Sequence, residues 1–432
     1  MGGRRNGSAA RRGRGGPVRT PAGVRRPGRG VRQCVRGRIS GHPAREGQVV
    51  PKYEDAVPCQ NYERRSAVFR PRIGIIGTGW WATRHHIPSL LASGQCDVAA
   101  LADSDPQRLA VAAQHFGLAK TYATADEMFA GTELDGVIVA VPHCDHYPVV
   151  RTALVHDVHV LVEKPMTLLS VDAWDLVRLA GDRGLHLLVG FTYQYTKSAR
   201  RCRDALQDGQ IGDLMLVSGF YSSSAGIHYR GAAGAEGADA KYPLMKPQAA
   251  TYRDPAVAGG GQGQTQLSHT AAMVSWATGQ RPADVAAYMS DCDLPVDLVD
   301  AVSFRLESGA VGSVASTGSL PEGEVGHHEL RYHGTAGHVI QNLRLGRVEV
   351  HRYGAGVEVI DAADEGAYPS QEPARTLVRL ILGSGDNPAP GAAAAHATEF
   401  VEAAYRSRDL GRPVAITELD GQPQTTRQQD RS

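Results

Sequence analysis

Cysteine and aromatic residues are scarce in this chain, and so is any long apolar run. Its 432 residues include six cysteines (Cys34, Cys59, Cys96, Cys144, Cys202 and Cys292) and no Cys-x-x-Cys pair. That spacing argues against a zinc ribbon or a disulfide framework and suits a reducing cytoplasm. No apolar stretch reaches the length of about 18 residues that a membrane helix needs, so no membrane partner is expected. No internal repeat is visible. Acidic residues are missing from residues 1–45, which carry 13 arginines. The rest of the chain holds 33 basic against 45 acidic residues, so the net charge of +1 conceals two regions of opposite sign. The Arg/Gly/Pro-rich start has too few large apolar side chains to offset the entropy of ordering, and residues 1–67 are expected to form an unordered tail. Arg-Gly segments that bind RNA use aromatic side chains for stacking. Such interleaving is absent here, so no nucleic-acid partner is expected. Arg25-Arg26 has no apolar region after it, so no export leader is read there. A hydrophobic content of 42% with 21% charged residues fits a globular body of two or three domains.

What the chain does have begins at Arg72. An apolar run, Arg72-Ile73-Gly74-Ile75-Ile76-Gly77, leads into Thr78-Gly79-Trp80-Trp81-Ala82. Gly-x-Gly-x-x-Ala between a buried strand and a helix is a dinucleotide-binding fingerprint. Gly77 permits the tight turn, Gly79 lets the backbone approach a pyrophosphate, and Ala82 lets the helix pack close to its strand. The helix start offers free N–H groups to the phosphates. Val98–Asp103 reads as a second strand ending in an acid that can accept hydrogen bonds from ribose hydroxyls. Trp80 and Trp81 are expected to pack over the turn.

Strands are also expected at Gly136–Val141, His159–Glu163 and His186–Val189, with helices at Asp105–Phe116, His146–Val155 and Val171–Asp182. Strand–helix alternation at this spacing predicts a parallel sheet covered on both faces. After Thr192 the pattern changes. A basic helix at Lys197–Gln207 precedes a strand at Leu214–Tyr221, a helix beginning near Gln266 and several hairpin-like runs between Val285 and His351. A final helix is expected near His396–Arg406. The fold class is therefore α/β. An N-terminal Rossmann domain with a doubly wound parallel sheet covers residues 68–190, and an α+β domain with a large, mostly antiparallel sheet covers 191–420.

Leu161-Val162-Glu163-Lys164-Pro165, a strand ending in Glu-Lys-Pro, resembles the Gfo/Idh/MocA oxidoreductases. Four further segments resemble the same family in order: Asp103-Ser104-Asp105-Pro106-Gln107-Arg108, Val141-Pro142-His143-Cys144-Asp145-His146, the triplet Gly259-Gly260-Gly261 followed by His269, and Glu329–Gly337. The resemblance covers about residues 70–415. It implies a cofactor cradle of Gly77, Thr78, Gly79, Trp80, Trp81, Ala82, Asp103, Ser104, Arg108, Pro142, His146, Glu163, Lys164 and Pro165. NAD is the implied cofactor, because Asp103 repels a 2′-phosphate; Ser104 and Arg108 leave room for NADP. Where the family often has Asp-x-x-x-His, this chain reads Thr265-Gln266-Leu267-Ser268-His269.

The chemistry the resemblance implies is hydride transfer to or from a hydroxyl or ketone carbon of a sugar, cyclitol or related polyol. Lys164 would orient the alcohol, with a pKa lowered by burial. His269 would act as general base. Thr265, one turn earlier, is expected to set its hydroxyl beside the imidazole. Tyr193, Gln194, Tyr252 and Arg253 are substrate-pocket candidates. No metal is expected, since no acid completes a ligand set with His143, His146, His156 and His159. The resemblance also admits a glycosidase that oxidises its sugar transiently with bound NAD, or a non-catalytic dinucleotide-binding regulator. A homo-oligomer, dimer or tetramer, is expected from the open face of the second sheet.

Overall fold

The computed structural model describes residues 69–231, 242, 244–361 and 368–419. The tail expected over 1–67 lies outside these residues. Among the described residues, a parallel sheet runs in the order β3-β2-β1-β4-β5-β6. Its strands are β1 (Arg72–Ile76), β2 (Asp97–Ala102), β3 (Thr121–Tyr122), β4 (Gly136–Val139), β5 (His159–Val162) and β6 (Leu187–Val189). Ile73, Ile75, Val137, Ile138, Val160 and Leu161 are fully buried, as both faces of the sheet are covered by crossover helices. The strand order reverses between β1 and β4. That switch point opens a crevice at the carboxyl ends of the strands.

Local chemistry starts the helices where the site needs them. Asp105 caps Pro106–Phe116 by accepting from the backbone N–H of Gln107 and Arg108, each at 3.0 Å. Proline in the first turn has no N–H to leave unsatisfied. Thr196 caps Lys197–Gln207 by accepting from the N–H of Ala199 (3.1 Å).

The second sheet runs β14-β13-β12-β11-β7-β10-β9-β8-β15. It comprises β7 (Leu214–Ser222), β8 (Pro282–Ser290), β9 (Val299–Leu306), β10 (Val311–Thr317), β11 (His328–Gly334), β12 (Gly337–Asn342), β13 (Arg347–Arg352), β14 (Gly356–Asp361) and β15 (Val414–Ala415). Only the β7–β10 pairing is parallel; every other neighbouring pair is antiparallel. Helices Lys197–Gln207, Ser268–Thr278 and Gly391–Leu410 pack on one face, and β9 alternates exposed and buried residues along its length. This is the period of a sheet wetted on one side.

The fold class is the expected one, and the expected strands and helices form within a few residues of their stated bounds. Among the described residues, the elements not expected include β3, β14, β15, the helix Ala125–Gly131, the short helices Gly226–Tyr229, Ala249–Arg253 and Pro255–Ala258, and the helix Glu372–Ile381. The last belongs to the second half by sequence but packs on the first sheet, where Ala374, Leu377 and Val378 join Ile73, Ile75 and Ile138 in one core.

Candidate active site

The turn after β1 is built by exclusion. A Cβ at Gly77 would overlap the Ala140 carbonyl at the end of β4, and its φ of +91° suits only glycine. Gly79 differs: nothing lies within 4 Å of where its Cβ would be, so bare backbone faces open space. Ala82 is buried against the sheet. Thr78 turns inward and donates to Asp103 Oδ2 from both its N–H (2.7 Å) and its hydroxyl (2.8 Å).

Asp103 is more heavily engaged than a ribose acceptor needs to be. Arg108 donates to it from Nε (2.9 Å) and Nη2 (2.6 Å), and the Asp105 N–H donates to Oδ1 (2.9 Å). Burial raises its pKa, but the Arg108 guanidinium and the backbone donors outweigh burial and hold the carboxyl below its ordinary value. The expected free acceptor is thus a carboxylate already forked by Arg108. A ribose hydroxyl must share it.

At the end of β5, Glu163 and Lys164 meet the turn from both sides. His86 Nε2 donates to Glu163 Oε1 (2.8 Å), and the Lys164 N–H donates to Oε2 (3.2 Å). Burial raises the Glu163 pKa; the His86 bond and nearby charges bring it below the usual value. Lys164 Nζ crosses to the second half and donates to the Thr265 carbonyl oxygen (2.7 Å). Burial pulls its pKa from 10.5 down to about 8, against the opposing pull of Glu163. His146 is locked between the carbonyls of Pro165 (2.7 Å) and Val141 (3.0 Å), so it braces the β4 and β5 ends.

Opposite Lys164 stands the turn Gly263–Leu267 and the helix it feeds. A Cβ at Gly261 would overlap the Asp297 carbonyl, so the glycine triplet passes against that loop. His269 is buried, and its Nδ1 has no hydrogen-bond partner. Its ring lies 5.7 Å from those of Phe191 and Tyr193, with Tyr221 and Tyr368 slightly further away. Burial first, then the charges of Lys164, His328 and Arg344, push its pKa well below 6.5.

Thr265 does not pair with the imidazole as expected. Its hydroxyl donates to the Gly261 carbonyl one turn earlier (2.8 Å) and meets the hydroxyl of Tyr229; back-bonding to the i−4 carbonyl is a common use of a helical threonine hydroxyl.

Two substrate candidates are also misplaced by sequence reasoning. Arg253 is exposed at the end of the short helix Ala249–Arg253 and does not line the crevice. Gln194 is buried within the turn Thr192–Tyr195, away from the cavity, with neither amide atom bonded. Tyr193 and Tyr252, by contrast, face inward. Trp80 Nε1 donates to the Tyr252 hydroxyl (3.0 Å), so the tryptophan pair reaches beyond its own turn to the second half. Sequence reasoning missed Tyr221, Tyr229, Arg344 and Tyr368, which carry no local motif.

These groups enclose a cavity of about 930 Å³. Gly77, Gly79, Trp80, Trp81, Asp103, Ser104, Arg108, Pro142, His146, Glu163 and Lys164 line one side; Thr78, Ala82 and Pro165 support that wall from behind. The volume and the bare backbone at Gly79 fit a dinucleotide with room for a small second ligand. Among the described residues, no group of three His, Cys, Asp or Glu side chains could hold a metal ion.

A parallel sheet with a glycine turn at its switch point, closed by an antiparallel sheet, defines a two-sheet dinucleotide-binding protein. The chain belongs to the Gfo/Idh/MocA oxidoreductase family. The model for the oxidoreductase family with an NAD-binding Rossmann fold matches residues 71–191, and that for the GFO/IDH/MocA C-terminal domain matches 199–340. A dTDP-3,4-didehydro-2,6-dideoxy-alpha-D-glucose 3-reductase of Streptomyces antibioticus is 35% identical over 153 residues, 35% of this chain and 46% of that protein. The rhizopine catabolism protein MocA of Rhizobium meliloti is 28% identical over 217 residues, 49% of this chain and 59% of that protein. The chain thus spans about half the length of the curated relatives it matches. The structure of a levoglucosan dehydrogenase with NADH and levoglucosan covers 81% of this chain and all of its own, with a TM-score of 0.66 at 18% identity, a likeness of fold.

Proposed function

We propose that the protein is an NAD-dependent oxidoreductase that moves a hydride between nicotinamide and a hydroxyl or ketone carbon of a sugar, cyclitol or related polyol. The observation that carries this reading is Lys164 Nζ, held by the Thr265 carbonyl within the same cavity as the glycine turn and His269. The dinucleotide, when bound, supplies the carbon that accepts or returns the hydride. Gly77, Gly79, Trp80, Trp81, Ser104, Arg108, Pro142 and Glu163 form its cradle, with Thr78, Ala82, His146 and Pro165 bracing it.

The chain's own part is proton handling and orientation. Lys164, with a pKa near 8, takes the alcohol proton during oxidation and returns it during reduction. Neutral His269 donates its ring N–H to the oxygen of the same hydroxyl and so leaves the hydroxyl proton aimed at Lys164. Thr265 acts through its carbonyl, which orients the lysine, and Tyr193 and Tyr252 wall the substrate. The relay therefore centres on the lysine, since burial makes His269 a weaker base than an exposed histidine.

Purified protein is incubated with sugars, cyclitols and glycosides while NADH absorbance and sugar release are followed together. NADH formation in step with substrate loss is expected. Sugar release with no net NADH would replace this reading with the glycosidase one, and neither signal would favour a regulator.

The sequence boundaries 68–190 and 191–420 are proposed as the cofactor and substrate domains. The outer face of the second sheet presents Leu216, Phe220, Tyr288, Val299, Ala301 and Val311 to solvent on neighbouring strands. We assign that face to a second copy of this chain in a cytoplasmic dimer or tetramer; a monomeric mass by light scattering at micromolar concentration would remove the assignment.

A further inference from the structure

Arg344 occupies the turn between β12 and β13 and lines the cavity together with Lys164, Tyr193, Tyr221, His269 and Tyr368. Its neighbours on the sheet are all neutralised: Arg331 by Glu329 (2.7 Å), Arg347 by Glu349 (2.9 Å) and Arg352 by Glu358 (3.5 Å). Arg344 makes no ion pair or hydrogen bond among the described residues. Room is kept for it, since a Cβ at Gly326 would come within 2.9 Å of its Nη2. Although its side chain is exposed to solvent, its charge acts on the buried His269, His328, Tyr193 and Tyr221 and on the half-buried Tyr368.

Among the described residues, the charge balance around it is one-sided. Lys164 supplies a second cation, and Glu163 is already held by His86 and the Lys164 N–H. The position where the family often carries aspartate is Thr265. A neutral polyol needs acceptors as well as donors and does not compensate two cations. A guanidinium lining a cavity with no carboxylate partner among the described residues is well matched by a planar or tetrahedral oxyanion, which it can bind through two parallel N–H donors.

We propose that Arg344 is the anchor for an oxyanion on the substrate, so that the sugar or cyclitol carries a carboxylate or a phosphate. This rests on the oxidoreductase reading above for the identity of the sugar, though the anion site itself does not depend on turnover.

The test uses matched trios: a neutral sugar, its uronate and its monophosphate, each with NAD-saturated full-length protein. Turnover and calorimetric binding are measured for the unmodified chain, Arg344→Met, Arg344→Lys and the outer-face control Arg331→Met. In the unmodified protein, one charged member is expected to exceed its neutral counterpart at least about tenfold in kcat/KM, and which member wins separates carboxylate from phosphate. Arg344→Met should erase that preference by lowering the charged member about 10- to 100-fold, mainly through KM. Arg344→Lys should recover part of it, and Arg331→Met should keep it.

Equal or better use of the neutral member by the unmodified chain overturns the proposal, as does a preference that survives Arg344→Met. If no trio turns over, the oxidoreductase reading fails, and calorimetry decides the anion site separately. Binding of a charged member that disappears in Arg344→Met upholds the site; binding that is absent or unchanged sinks it.

Discussion

The two walls of the cavity satisfy their charges in opposite ways. On the first-sheet wall each ion finds a protein partner: Asp103 is forked by Arg108, and Glu163 is bonded by His86. On the second-sheet wall, His269 Nδ1 has no partner and Arg344 has no counter-ion among the described residues. A wall whose charged groups are already paired is held in place before its ligand arrives, which suits a cofactor that never changes. A wall with unpaired groups depends on the ligand to satisfy them, and there specificity is set.

The largest expected effect tests whether both walls meet at one reacting atom. Lys164→Ala and His269→Ala should each slow single-turnover hydride transfer by roughly 10²–10⁴-fold, while NAD affinity changes little. In the unmodified protein, kcat/KM for oxidation should rise with pH and level off above about 8, because Lys164 must lose its proton and burial has lowered its pKa to about 8. A near-normal rate in either variant would separate the walls functionally. A profile flat from pH 6 to 9 (about three units around that pKa) would remove the lysine relay.

Each wall also buries a neutral histidine, His143 on the first and His328 on the second, and burial lowers both pKa values to about 3. The unfolded chain binds these protons below pH 6.5 while the folded one does not, so stability is complete above 6.5 and falls as pH drops toward 3. At pH 5 each histidine should cost about 2 kcal/mol. Denaturant melts between pH 7 and 4.5 (roughly the range in which the unfolded histidine titrates) should show this loss, and His143→Gln and His328→Gln should each reduce its steepness. An equal slope in all three proteins would place the acid sensitivity elsewhere.

A smaller effect tests the paired wall. NAD should bind more tightly than NADP, and Asp103→Ala should narrow the difference by about 10- to 100-fold. The substitution removes a charge that repels the 2′-phosphate and releases Arg108 to pair with it. Calorimetry of both cofactors measures this; tighter NADP binding in the unmodified chain would show that Arg108, not Asp103, governs the pocket. The smallest effect concerns the hydroxyl pair that replaces the family's aspartate. Tyr229→Phe leaves Thr265 its bond to Gly261, and should cost about 0.5–1.5 kcal/mol in a chemical melt. A loss well beyond that range would mean that Tyr229 supports more than Thr265.

Legibility in the sequence followed the same division. Gly77, Gly79, Asp103, Glu163 and Lys164 stand at fixed offsets from strand ends, so their spacing carried their place. Thr265 was misread because helical spacing puts it beside His269, whereas its hydroxyl took the carbonyl of Gly261. The helix Glu372–Ile381 was missed because its ten residues offer little more than two turns of apolar pattern, and its packing partner lies almost 300 residues away on β1.

The sequence by itself determined the parallel sheet, the glycine turn and the ordering of the family's motifs. These depend on contacts within a strand, a turn and the next helix, and so on residue types at short separations. Only the tertiary structure decided that Arg108 occupies Asp103, that Lys164 rests on Thr265, and that Tyr229, Arg344 and Tyr368 share one cavity with His269. Those arrangements join residues up to about 140 positions apart whose side chains carry no periodic signal. They exist because an unpaired buried donor or charge is costly, which favours packing that brings a partner near from anywhere in the chain.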